Sequence, residues 1–431
     1  MNYVMPDRET LLPHNQDGVW HPLLADELSD RAMAAIEAII ADLPIPSASE
    51  ISDPSLAGGK AGISLFCAYL ALSGLDDGEN AACFLEEAVQ AVAARSMRPS
   101  LYSGFTGVAW ATAHLQKQLG DAEEEPTYKA LDEALLAHLS ESPWRDDYDL
   151  ISGLVGFGVY ALERLPHQMA IEILKRVVER LNETAERNAE GITWLTPPEL
   201  LTPWQREISP NGYYNLGLAH GVPGVIALLG HAYAAGIARA QVEPLLEGAI
   251  DWLLAQKLPS SAHSIFPSWV GPSWAQPSIG SDGCRLAWCY GDAGIAAALL
   301  SAARSARERS WEREALEIAI CAARRAPETA GVLDVSLCHG AAGLGHIFNR
   351  MYQATGEKQL KDSATFWFDR TLEMRRPEGG IGGFVALGVV TDERRWVADP
   401  GFLTGAAGVG LALLAAITPI EPSWDRILLV S

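Results

Sequence analysis

Positive charge, long apolar runs and clustered cysteines are all scarce in this chain, and each scarcity removes a class of function. Lys and Arg number 32 against 54 Asp and Glu, a formal net charge of −22. Nucleic acid and anionic membrane surfaces both repel a polyanion, so neither is an expected partner. No apolar run reaches the roughly 18 residues that a spanning helix needs, and membrane insertion is not expected. Residues 1–10 hold no apolar stretch ahead of a cleavage site, which argues against secretion and for a cytoplasmic location. The six cysteines are widely spaced, and neither a CxxC nor an HExxH pattern occurs. In a long chain such spacing favours reduced thiols over a disulfide framework.

What the chain has instead is glycine in a repeating pattern. Gly-x-x-Gly followed by small and aliphatic residues occurs at Gly59, Gly104, Gly153, Gly221, Gly291, Gly340 and Gly405, at intervals of 45, 49, 68, 70, 49 and 65 residues. Such a period suits two helices per unit, none able to bury its apolar face alone. Segments after the glycines, such as 221–229 and 405–414, are almost wholly apolar and read as helices buried on every side. Stretches between them, such as 170–180 and 310–320, place apolar residues at spacings of three and four and read as half-exposed outer helices. The expected fold is all-α: an α/α toroid of seven helical hairpin repeats, with residues 1–431 forming one domain. Three long intervals carry Pro-, Gly- and Trp-rich stretches at 191–215, 258–285 and 377–402. These are expected as rim loops with some short strands, and loops of that length are often functional lids.

Glycines at the mouth of each inner helix let backbones approach closely, because they lack a Cβ. The residue before each first glycine then points to the centre of one rim, and those residues are Gly58, Ser103, Ser152, His220, Tyr290, His339 and Thr404. Chemistry collects here. Cys289 lies two residues before Gly291, and Cys338 and His339 directly precede Gly340. Two thiols and an imidazole are three ligands that zinc accepts tetrahedrally, leaving a fourth position open. The plain alternative is that both cysteines are small core residues, the reading given to Cys67, Cys83 and Cys321 inside apolar stretches. His220 reads either as a helix-capping residue or as an acid/base group near neutral pH. Asp149 either caps a helix or orients that imidazole. Arg285 either pairs in a loop or stabilises negative charge on a substrate carbonyl. His231 and His346 fall inside helices and read as structural.

With Trp288-Cys289-Tyr290-Gly291-x-x-Gly294, Cys338-His339-Gly340-x-x-Gly343 and Ala219-His220-Gly221-x-x-Gly224 in register, the chain resembles the lanthionine synthetase C-like family. It resembles in particular the free-standing class I lanthipeptide cyclases, and a kinase-like or lyase-like N-terminal region is not expected. The likeness runs from the repeat near Gly59 to the residues after Trp424. It implies a seven-fold toroid with one catalytic Zn2+ on Cys289, Cys338 and His339. It further implies His220 as acid/base, Asp149 and Arg285 in the active site, and Trp288 and Tyr290 lining it. The implied reaction is addition of a peptide Cys thiolate to dehydroalanine or dehydrobutyrine, which forms a thioether ring. Implied partners are a dehydrated precursor peptide, leader plus core, and a dehydratase and transporter of the same pathway. The implied location is cytoplasmic, at most peripheral to a membrane-associated biosynthetic complex. Two rival readings remain: a six-fold toroid similar to the protein prenyltransferase β-subunits, and a family homologue that binds or adds glutathione or serves as a zinc-bearing scaffold.

Overall fold

Each of the seven glycine pairs opens one buried helix, and these helices touch in succession until the last meets the first. The computed structural model describes residues 19–44, 51–119, 125–272, 283–376, 378–390 and 393–431. Residues 1–10, the 273–282 part of the second rim segment, and Pro377 and residues 391–392 of the third lie outside the described residues.

Helix α1 (Asp26–Asp42) precedes the first repeat. Inner and outer helices then alternate as α2 (Lys60–Leu72) and α3 (Glu79–Ala94), α4 (Phe105–Leu119) and α5 (Glu125–Leu139), α6 (Leu154–Glu163) and α7 (Gln168–Thr184). Past a short rim helix α8 (Pro203–Ile208) come α9 (Val222–Ala234) and α10 (Arg239–Ala255), then α11 (Asp292–Ala306) and α12 (Arg309–Ala323). A single turn, α13 (Pro327–Ala330), leads to α14 (Ala341–Thr355) and α15 (Lys358–Glu373), and α16 (Ala406–Ile417) completes the set. The inner helices α2, α4, α6, α9, α11, α14 and α16 each pack on the next, and α16 packs on α2. This is a closed α/α toroid of seven inner helices, so the six-fold alternative is overturned. Among the described residues, no outer helix follows α16. Its place is taken by α1, with the Leu23 and Leu24 N–H groups both donating to the Ala416 carbonyl at 2.8 and 2.9 Å.

Burial follows the sequence pattern. Every residue of α16 from Ala406 to Ala416 is buried, whereas α7 buries only a stripe of Ala170, Ile173, Leu174, Val177, Val178 and Leu181. Cys67 is buried in α2, but Cys83 and Cys321 are exposed on the outer helices α3 and α12 and are not core residues. An isolated small apolar residue on an amphipathic helix does not reveal which face it occupies. All six cysteines are free thiols.

The glycine pairs serve a closer contact than helix packing. A Cβ on the second glycine of a pair would strike the backbone carbonyl of the loop leading into the same helix, at 2.0 Å from Leu337 O for Gly343 and 2.2 Å from Trp288 O for Gly294. Each loop is thereby folded back onto its own helix start. The seven loops are then joined to one another. Ala57 N–H donates to Tyr102 O (2.9 Å), Tyr102 to Ile151 (3.3 Å), Leu150 to Ala219 (3.1 Å), Ala219 to Cys289 (3.4 Å), Cys289 to Cys338 (3.2 Å), Cys338 to Leu403 (3.0 Å), and Leu403 back to Ala57 (2.8 Å). These bonds form a closed ring around the rim.

Short strands decorate the same rim in the three long intervals. β1 (Glu186–Asn188) pairs with β2 (Gly191–Thr193), β4 (Tyr213–Asn215) lies between β3 (Leu195–Thr196) and β5 (Trp269–Val270), and β6 (Ala386–Val390) pairs with β7 (Glu393–Val397), all antiparallel.

Residues 423–430, apart from the exposed Arg426, occupy the interior of the ring. Trp424, Asp425, Ile427, Leu428 and Leu429 are all at most 2% exposed. Asp425 takes the Arg350 guanidinium on both oxygens, at 2.8 and 3.0 Å, and lies 2.8 Å from His346 Nε2. Burial disfavours the carboxylate, yet Arg350 and His346 outweigh it and lower the pKa of Asp425 to about 2. Because the folded value lies below the unfolded one, this contribution is complete above about pH 4 and is lost as pH falls toward 2. Asp425→Ala is expected to lower stability at pH 7 by about 3 kcal/mol, since it strands a buried cation. In thermal unfolding, the gap between variant and wild type should shrink below pH 4; a gap that does not change with pH would show that charge is not its source.

Candidate active site

Loop register decides which side chains meet. Cys289 and Cys338 hold the same position in the repeats that open α11 and α14, and the ring bond between these loops brings the two residues together although 49 positions separate them. The Trp288 N–H donates to the same Cys338 carbonyl, at 3.1 Å. The Cys289 and Cys338 sulfurs and a ring nitrogen of His339 all lie within 4.8 Å of one another.

His339 is aimed by a residue that the motif reading did not single out. Asp334 Oδ2 lies 3.2 Å from His339 Nε2, which leaves Nδ1 as the nitrogen available to the thiols. Asp334 is itself pinned, its Oδ1 accepting from the Ser336 N–H (3.1 Å) and hydroxyl (2.9 Å). Burial opposes the charged forms of both partners, yet their mutual attraction raises His339 to about 9 and lowers Asp334. Cys338 hydrogen-bonds Cys289 and pulls its thiol well below the usual range; burial opposes this, and His339 and Arg285 reinforce it. The same bond pushes Cys338 well up, as does burial. A metal ion binding here would displace protons from the cluster, and two sulfurs with one nitrogen match zinc's preferred donors. The donor set fits zinc.

The neighbouring loop supplies a second imidazole. His220 Nδ1 lies 2.6 Å from Asp149 Oδ2, while Asp149 Oδ1 accepts from the Ser152 N–H at 2.8 Å. The His220 side chain remains 43% exposed against 10% for Asp149, so Nε2 is the nitrogen open to a substrate. Burial works against protonation of His220, but Asp149 outweighs it, Cys289 adds to it, and the pKa rises. Asp147 is pushed up to about 6 by burial and by the charge of Asp149.

The remaining candidates divide between cleft and core. Arg285 reaches 3.7 Å from Cys289 Sγ. The Tyr290 ring lies 6.1 Å from that of His220, and its hydroxyl accepts from Asn215 Nδ2 at 2.8 Å. Trp288, expected to line the site, is 1% exposed, its indole N–H donates to the Leu428 carbonyl at 2.9 Å, and its ring packs on Tyr102, so its side chain is turned inward. Asn215 and Asp334 were legible in one respect. Six residues before the first glycine stand Asp53, Asp147, Asn215, Asp334 and Asp399, with Arg98 and Arg285 in the other two repeats. At 53, 215, 334 and 399 the side chain accepts the N–H two residues on, a turn that Asx residues favour.

Comparison with known proteins fits this geometry. The family model described as lanthionine synthetase C-like protein matches residues 50–429. The chain belongs to that family. It is 25% identical over 317 residues to the nisin biosynthesis protein NisC of Lactococcus lactis subsp. lactis, across 66% of this chain and 70% of that protein. The solved structure of nisin cyclase superposes with a TM-score of 0.74 at 22% identity, covering 92% of this chain and 96% of that one, which is a likeness of fold. A sugar epimerase from a ruminal bacterium, at TM-score 0.46 and 11% identity over 92% of this chain and 100% of that one, carries no argument. Among the described residues, no helix is long and apolar enough to cross a membrane.

The carboxylate behind His220 yields a direct test. In Asp149→Asn the imidazole loses its charged partner, so an NMR titration of His220 should reach its midpoint at lower pH than in wild type. An unmoved midpoint would mean that Asp149 does not set the proton affinity of His220.

Proposed function

We propose that this chain is a zinc-dependent lanthipeptide cyclase, which closes thioether rings by adding peptide Cys thiols to dehydroalanine or dehydrobutyrine. The observation that carries the reading is the gathering of Cys289, Cys338 and His339 within 4.8 Å, beside an imidazole–carboxylate pair on the next loop. Family membership and the likeness to a nisin biosynthesis protein support it.

Cys289, Cys338 and His339 would hold the metal, with Asp334 orienting His339. A zinc ion held there would lower the pKa of an incoming peptide thiol while two thiolate ligands would keep that sulfur nucleophilic. The chain's own groups then serve the rest of the addition. A thiolate that adds to the β-carbon leaves negative charge on the substrate carbonyl, and Arg285 is the cation placed to offset it. Protonation at the α-carbon completes the addition and sets its stereochemistry, and His220 Nε2 is the donor, with Asp149 holding the ring through Nδ1. Tyr290, tied by Asn215, forms one wall of the cleft. The substrate is a dehydrated precursor peptide, and a dehydratase must act before this chain. A transporter of the same pathway and peripheral association with a membrane complex belong to the same reading, as does a single domain over residues 1–431.

Elemental analysis should find one zinc per chain in wild type and little in Cys289→Ala and Cys338→Ala; equal zinc in all three would sink the metal assignment. His220→Asn should keep its zinc while ring formation slows by ~10²–10⁴, the usual cost of losing an acid/base group. Ring closure is read as protection of the peptide thiol from alkylation with no change in mass. Glutathione addition, by contrast, raises the mass and would favour the alternative activity.

A further inference from the structure

On the interior side of the proposed metal ligands, the buried residues between 423 and 430 bond to side chains of the surrounding helices and loops. Ser423 Oγ lies 2.9 Å from the Tyr69 hydroxyl and accepts from Gln118 Nε2 at 3.0 Å. Asp425 is locked to Arg350 and His346. One turn further on, the Ile427 carbonyl accepts from the Tyr102 hydroxyl and the Leu428 carbonyl from the Trp288 indole N–H, both at 2.9 Å. The two rings pack at a centroid distance of 5.9 Å, and both residues are 1% exposed. Leu429 follows in a left-handed conformation at φ +55°, a cost of roughly 1–3 kcal/mol that persists only where surrounding contacts hold it.

Trp288 links this layer to the metal ligands. Its side chain is bonded inward to Leu428, while its backbone N–H and that of Cys289 both donate to the Cys338 carbonyl, at 3.1 and 3.2 Å. The Trp288–Cys289 peptide is therefore held on two sides, by the rim ring and by the interior segment. Tyr102, a member of the same ring, is bonded to the adjacent carbonyl.

We propose that the Leu428 and Ile427 carbonyls, acting through Trp288 and Tyr102, are positioning groups that set the placement of Cys289 relative to Cys338 and so the affinity and geometry of the metal centre. The inference rests on the metal site proposed above. In a buried apolar interior, an acceptor that loses its donor is left unsatisfied, which favours any backbone shift that finds it another partner. Such a shift would be felt first at Cys289, one residue along. Supporting partners of metal ligands commonly govern affinity by about ten- to a hundredfold.

The test compares wild type, Trp288→Phe, Tyr102→Phe and Leu428→Ala. Zn2+ affinity is measured by chelator competition, the thiolate-to-metal absorption is recorded on Co2+-substituted protein, and thermal unfolding is followed in parallel. Trp288→Phe keeps an aromatic ring but removes the donor, and should weaken binding about ten- to a hundredfold with an altered cobalt spectrum. Tyr102→Phe should show a smaller loss in the same direction. Leu428→Ala keeps the carbonyl and should lower the unfolding temperature while leaving affinity and spectrum as in wild type. Wild-type affinity and spectrum in Trp288→Phe overturn the proposal whatever its stability, as does an equal loss in Leu428→Ala. Should Trp288→Phe fail to fold, unchanged metal binding in Tyr102→Phe overturns it. A wild type that binds no metal removes the proposed metal site and this inference together, whereas wild-type binding that Trp288→Phe fully retains removes only the inference.

Discussion

The closed ring of hydrogen bonds between the seven rim loops is the constraint on which the rest of the structure depends. Each loop donates an N–H to the next and accepts from the one before, so no loop can shift without opening a bond on either side. An unpaired buried backbone group costs about 1–3 kcal/mol, which makes such a shift expensive at every position. The ring converts position within a repeat into position in space. Residues at equivalent repeat positions become neighbours, and the 49 residues between Cys289 and Cys338 cease to matter. The second glycine of each pair serves the same end, because only a residue without a Cβ lets a helix start lie against its own loop carbonyl.

Of the imidazole–carboxylate pairs in the structure, the two on the rim loops near Cys289 differ in what they face. Asp334 and His339 lie in one repeat, and their bond turns a nitrogen toward two sulfurs. Asp149 and His220 come from adjacent repeats, and their bond raises the proton affinity of a ring that is open to the cleft. In the proposed function the same chemical pairing serves metal binding in one place and proton transfer in the other. What differs is the company: thiols beside the first, solvent and Tyr290 beside the second.

Much of this was legible beforehand because glycine repeats and helical periodicity are local signals. The seven inner helices begin where the glycine pairs stand, and the long Pro- and Trp-rich intervals carry the short strands. Periodicity failed where it depends on one residue: Cys83 and Cys321 face solvent on outer helices. Asp334 and Asn215 escaped notice because their signal is a shared offset from the glycine, visible only once the repeats are stacked in register. Placing α1 against α16 was beyond any repeat argument, since the helix that completes the seventh hairpin comes from the opposite end of the described chain.

The sequence by itself determined the number of repeats, the division into buried and half-exposed helices, and which residue types stand at each helix mouth. All of these follow from steric and hydrophobic preferences acting within one repeat. Only the tertiary structure decided which mouths adjoin, that Asp149 reaches His220 from another repeat, and that Trp288 points inward to Leu428 instead of into the cleft. Those outcomes depend on ring closure and on what fills its interior. Contacts between residues 71 and 140 positions apart leave no periodic trace in the chain, because they are chosen by packing across the toroid and by no preference of the residues alone.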